Sequence, residues 1–296
     1  MRLDFEGRED NYTFVEAGQL RALCDQHSGQ IGNMRGDWYG KHDKATALHA
    51  LTLGDERLVA ASDALLAKLE DKLPHTRKWQ MQRAVSGGLV CVPEYLTGQP
   101  ECMRIRRRMD RNDAPVTIFM DLTSSAMIGA DKLLARGTAI LALARALCEH
   151  RVVELWGGVS LGGSSYDRNG NKAWSSTFAW RIDTVPLDLA RAAFLLSAPA
   201  MARGIGYGLA PTLAGHDYWN GGWSFENHDL HIRTQSQRLR AAMGAAEMLV
   251  VPPIYGTDPL VTAPLEWITR ELARLTGNGP ELGSEDWNKE GDRAHA

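Results

Sequence analysis

Val116 to Ser125 reads VTIFMDLTSS. Val116 to Met120 is a short continuous apolar run with β-branched members, the pattern of a strand buried on both faces. Asp121, Thr123 and Ser125 then place one carboxylate and two hydroxyls at alternate positions, matching D-x-[ST]-x-S. Such groups can converge on one point beyond the end of a strand. Hard oxygen donors of this kind suit Mg2+, which keeps several waters and accepts few protein ligands. The competing reading is that Asp, Thr and Ser cap the next helix.

Downstream, Gly129 to His150 is rich in Ala and Leu and reads as a long helix. Val152 to Trp156 reads as a second strand and Ser175 to Ile182 as a third. Asn169-Gly170 between them is a strong turn signal, so these two strands are expected to form a hairpin. Pro186–Leu196, Ala200–Leu209 and His231–Met243 read as helices, Met248–Val251 as another buried strand, and Val261–Leu275 as a final amphipathic helix. Alternation of this kind is an α/β pattern. Open sheets of that class bind ligands beyond the carboxyl ends of their strands, where Asp121, Thr123, Ser124 and Ser125 fall.

Upstream, residues 1–102 read as a helical and irregular region. Glu16–Cys24 suits a short helix. Asp55–Leu73 suits a longer one, with Leu58, Leu65, Leu66 and Leu69 at helical spacing and Asp55 as its cap. Gly32, Gly36 and Gly40 punctuate a loop that holds Trp38 and Tyr39. Residues 103–276 are expected to form the α/β domain, and 277–296 a polar, disordered tail.

The 296 residues carry 44% hydrophobic side chains, enough for one substantial core. A formal net charge of −3 argues against general nucleic-acid binding, which usually goes with a basic excess. One stretch departs from that balance. Arg104, Arg106, Arg107, Arg108 and Arg111 crowd into Met103–Arg111, either as a solvated face or as an anion or nucleic-acid patch. Cys24, Cys91, Cys102 and Cys148 form no C-x-x-C pair and suit reduced thiols. The charged start is unlike a signal peptide, and no apolar run approaches the roughly 20 residues of a membrane span. A cytoplasmic protein without membrane association is therefore expected.

The segment PVTIFMDLTSSA, the long helix after it and then VVELWGG resemble the von Willebrand factor A-type fold, over about residues 103–276. The resemblance implies an open α/β sheet with flanking helices and a metal-ion-dependent adhesion site at Asp121, Thr123 and Ser125, with Mg2+ as its ion. It also implies a protein-binding role, with a MoxR-type AAA+ ATPase as one partner class. More loosely, the whole chain resembles a group of tailed-phage and prophage proteins, which would place it in the host cytoplasm. Two departures bear on the site. The family's further Thr ligand falls, by alignment of Ala202 to Leu209, at Arg203. A guanidinium there would repel a divalent ion and could take its place, paired with Asp121. The Asp expected after the fourth strand is replaced by Pro252-Pro253-Ile254.

Ser124 and Arg203 join Tyr218, Trp219 and Trp223 as candidate partner-binding residues, since aromatic loop residues are frequent binding anchors. His216, His228 and His231 share that Trp-rich loop region but lack a zinc spacing. The glycine clusters at 157–163 and 204–208 lack the phosphate-loop pattern. Two other functions stay open: a nucleic-acid-binding accessory protein using the arginine run, and a Mg2+-dependent phosphoryl-transfer or hydrolytic enzyme. The second is disfavoured because metal-dependent enzymes of that kind assemble several carboxylates around the ion.

Overall fold

A computed structural model describes residues 2–5, 8–70, 79–85, 89–108, 115–148, 150–167, 170–213, 228–254 and 256–276. The strands are β1 (Arg2–Phe5), β2 (Arg8–Glu16), β3 (Trp79–Ala84), β4 (Leu89–Val90), β5 (Met103–Arg108), β6 (Val116–Asp121), β7 (Val153–Asp167), β8 (Gly170–Ile182) and β9 (Glu247–Val251). The α-helices are α1 (Leu20–Gln26), α2 (Lys44–Leu53), α3 (Val59–Glu70), α4 (Val92–Leu96), α5 (Ala130–Cys148), α6 (Leu189–Ser197), α7 (Tyr207–Leu213), α8 (His228–Met243), α9 (Pro259–Thr262) and α10 (Pro264–Leu275).

The chain divides into two compact units, Met1–Leu69 with Ala114–Ala296, and Glu70–Asp113. This differs from the boundary the sequence suggested at 102/103. Residues up to Leu69 belong with the α/β unit, and a separate segment is inserted before β6. The expected tail, 277–296, lies outside the described residues.

The larger unit is a mixed α/β structure around a six-stranded sheet in the order β1-β2-β8-β7-β6-β9. β6 pairs parallel with β7 and β9, and all six of its residues are buried. That burial explains why Val116–Met120 is apolar apart from Thr117, because neither face meets water. β7 and β8 form the expected hairpin, antiparallel from Leu155↔Ile182 to Asp167↔Gly170. β2 extends the sheet parallel to β8, and β1 pairs antiparallel with β2. These two strands lie in a region that reads as helical or irregular. Arg8, Glu9 and Asp10 hide the alternation that places Tyr12 and Phe14 against Phe119 and Trp156.

One face of the sheet gathers Phe119, Ala179 and Tyr12 with Leu239 of α8. α5 has 12 buried residues and packs beside α6 and α10. Among those 12 is Arg136, whose Nε lies 2.5 Å from Asp258 and whose other nitrogens donate to the carbonyls of Asp121 and Pro252. This cation joins α5 to the ends of β6 and β9. Gly137 sits where α5 meets the end of α6, and a Cβ there would collide with the Leu196 carbonyl and with Ser197. Asp55 caps the turn leading into α3, as its position suggested, and also accepts from His42 and Arg57.

The smaller unit holds an antiparallel three-stranded sheet, β3-β5-β4, and the short helix α4. Among the described residues, no helix is long and apolar enough to cross a membrane.

Gly137→Ala tests the close α5–α6 approach. Overpacking should outweigh the better helix propensity of Ala and destabilise the protein by about 1–3 kcal/mol. Urea unfolding should show a lower midpoint with an unchanged slope. An unchanged midpoint would mean that the helices are not this close.

Candidate functional site

β6 lies inside the sheet. The chain leaves it through α5 for β7 on one side, and later arrives at β9 on the other. The carboxyl ends of β6 and β9 therefore flank a topological switch point, where open α/β sheets place their ligands. The loop Asp121–Ile128 stands there. It is tied to both neighbours. Leu122 N–H donates to the Gly158 carbonyl (2.8 Å), Ile254 N–H to Thr123 O (3.0 Å), and Ser125 N–H to Ile254 O (3.2 Å).

Asp121, Thr123 and Ser124 are buried, at 1%, 0% and 2% exposure. The Asp121 carboxylate accepts the Thr123 N–H at 2.9 Å. Thr123 Oγ1 is held by the Ser160 backbone, accepting from its N–H (2.8 Å) and donating to its carbonyl (3.1 Å). Ser160 Oγ lies 3.2 Å from Thr177 Oγ1, which carries the network into β8. Burial pushes the Asp121 carboxyl above the usual carboxylate range. Hydrogen bonds from Thr123 and Ser160 and the charge of Arg136 work in the opposite direction. Ser125 is half-buried, and its Oγ accepts the Met127 N–H at 3.3 Å, as in a helix-entry turn.

Arg203 belongs to a π-helical turn, Ala200–Gly206, whose seven residues are all buried. π-turns are rare and recur at functional sites. The Arg203 guanidinium does not pair with Asp121, contrary to the sequence expectation. It donates to Ser124 Oγ (3.1 Å), the Ile128 carbonyl (2.5 Å), the Ser125 carbonyl (3.5 Å) and the Trp38 carbonyl (3.0 Å). Its Cζ lies 4.7 Å from the centre of the Trp38 ring, a cation–π contact. Tyr207 holds Ser124 from its backbone side. Its hydroxyl accepts the Ser124 N–H at 3.0 Å and donates to Ser124 O at 3.3 Å. Burial pushes that phenol up to about 12, while Asp121 and Arg203 act on it in opposite senses.

Mg2+ fits this arrangement poorly. The ion needs near-octahedral oxygens at about 2.0–2.1 Å and room for waters. Here the Thr123 and Ser125 hydroxyls are engaged with backbone groups, and the Ser124 hydroxyl accepts from a cation. Asp121 is the one acidic side chain among the loop residues 121–128.

The structure thus brings together Asp121, Thr123, Ser124, Ser125 and Arg203. Arg104, Arg106, Arg107 and Arg108 lie on β5 in the smaller unit. Tyr218, Trp219, Trp223 and Arg111 lie outside the described residues. Trp38, Arg136, Ser160 and Tyr207 are site residues that sequence reasoning missed. An Arg-Gly step, Arg136-Gly137, just before the apolar stretch of α5, and a Trp flanked by Gly36 and Gly40, were the available signals. Gly36 and Gly40 adopt φ values of 87° and 67°, where a side chain would be strained. Met127 was missed as well. It is 91% exposed at the tip of the loop.

This α/β protein with a buried, hydroxyl-rich switch-point loop falls within a recognised family. A family model described as "Domain of unknown function (DUF7192)" matches residues 6–249, and the chain belongs to that family. No curated protein and no solved structure matches it.

The raised Asp121 pKa has a consequence for stability. Because the folded value exceeds the unfolded one, the folded state holds this proton more tightly. The stability it contributes is therefore present at low pH and is lost as pH rises through the folded value. Asp121→Asn should remove that slope above the ordinary carboxylate range, and at pH 7 the variant should be at least as stable as the wild type. Urea unfolding between pH 5 and pH 8 checks this. A loss of about 3 kcal/mol or more, the size for breaking a buried charge pair, would show that the ionised carboxylate is required.

Proposed function

We propose that the chain is a non-enzymatic, protein-binding module of von Willebrand A type, with a degenerate adhesion site whose loop is held by the guanidinium of Arg203. The observation that carries this reading is the contrast within one loop. Residues 121–125 are fixed by hydrogen bonds to β7, to Ile254 and to Arg203, yet the loop exposes Met127 at 91%. A rigid loop loses little entropy on docking, and a flexible thioether suits an adaptable contact. Support for the von Willebrand A likeness comes from the loop's place after a central parallel strand, with a β-hairpin on one side and β9 on the other. A MoxR-type AAA+ ATPase in a phage or prophage setting remains the partner class we favour.

The alternative of a Mg2+-dependent enzyme has less support. Its one strand-tip carboxylate is enclosed by Thr123 and Ser160, with no second acidic group in the loop to share an ion.

Met127→Asp tests the docking face without disturbing the buried network. Against a purified MoxR-type ATPase from the same genome, biolayer interferometry should show at least about tenfold weaker binding than wild type, the scale of one interface anchor. The thermal midpoint should stay within about 2 °C. Equal affinity for both proteins would remove this loop from the interface, and absence of wild-type binding would remove that partner class.

A further inference from the structure

The segment Glu70–Asp113 carries nine Lys and Arg against six Asp and Glu, a net of +3, whereas the whole chain carries −3. The remainder is therefore at −6, and the positive charge is concentrated in one small unit. Such asymmetry points to an anionic partner for that part of the chain.

The backbone register distributes the charge. β5 is the central strand of the small sheet, between β3 and β4. Arg104 stands opposite Arg83, Arg106 opposite Met81, and Arg108 opposite Trp79. Directly opposed residues of an antiparallel pair share a face, and so do alternate residues of one strand. Arg83, Arg104, Arg106, Arg108, Trp79 and Met81 therefore occupy one face. The other face holds Met103, Ile105 and Arg107 of β5, with Ala84, Gln82 and Gln80 opposite them. Register thus adds Arg83 to the arginine run and assigns Arg107 to the other side. Like charges directly opposed on neighbouring strands are destabilising, and the register puts Arg83 opposite Arg104. Arg104, Arg106 and Arg108, at alternate positions of β5, are about 7 Å apart in turn, far enough for each to take its own phosphate.

We propose that this face of the β3-β5-β4 sheet binds single-stranded nucleic acid, through the row Arg83, Arg104, Arg106 and Arg108 and through base stacking on Trp79. A line of cations beside an aromatic residue on a sheet is the combination that tracks a single strand with little sequence preference. An acidic protein would use the cations but would gain little from Trp79.

The test is fluorescence anisotropy of labelled oligo(dT) with the full-length protein across a salt series. Four phosphate contacts give a slope of log Kd against log salt of about 2.8, at roughly 0.7 per contact on a single strand. Arg106→Gln should lower the slope by about 0.7, Arg106→Lys should retain it, and Arg107→Gln should leave it unchanged. Trp79→Ala should weaken binding about tenfold with the slope intact. Circular dichroism of each variant separates lost contacts from lost folding. Absence of binding at low salt overturns the proposal. So does an equal loss for Arg106→Gln and Arg107→Gln, or displacement by polyglutamate as effective as by unlabelled oligo(dT). None of these outcomes bears on the Met127 loop.

Discussion

The buried guanidinium of Arg203 organises the loop at the end of the sheet. Arg203 reaches from the π-helical turn to Ser124, Ser125 and Ile128, and to the Trp38 carbonyl 165 positions earlier in the chain. A cation at 4% exposure needs compensation. Here it comes from carbonyl and hydroxyl oxygens and from the Trp38 ring, with no carboxylate paired to it among the described residues. Burial therefore lowers its pKa from the usual arginine range. The same arrangement fixes the loop after β6.

The rest of the site follows from β6 being central and fully buried. A strand with neighbours on both sides delivers its last residue, Asp121, into the interior. Its carboxylate is kept by Thr123 and Ser160, and the strand ends are clamped by Arg136 against Asp258. Two buried arginines thus do different work. Arg136 has an acidic partner and joins secondary-structure elements. Arg203 lacks one and shapes the loop. Tyr207 feels the Asp121 and Arg203 charges in opposite senses and bonds to both backbone groups of Ser124.

Much of the α/β unit was legible in the sequence, because its signals are local. The apolar run of β6, the Ala- and Leu-rich α5, the β7–β8 hairpin, and β9 before two prolines all read as built. The final helix was legible too, although Ala263 divides it into α9 and α10. β2 was not, since its apolar residues sit among charges and its partner strand β8 is some 165 positions away. The return of residues up to Leu69 to the main unit was hidden for the same reason. At the site, the motif residues and Arg203 were found by pattern. That Arg203 meets Ser124 and Trp38 rather than Asp121 depends on long-range contacts, which no local spacing encodes.

Whether the loop after β6 is held by Arg203 without a metal ion is tested most directly by a crystal structure grown with Mn2+ and read by anomalous scattering. The account expects no anomalous peak among Asp121, Thr123 and Ser125, with Arg203 bonded to Ser124 Oγ and the Ile128 carbonyl. A manganese peak coordinated by Asp121 and Ser125, with Arg203 displaced, would contradict it.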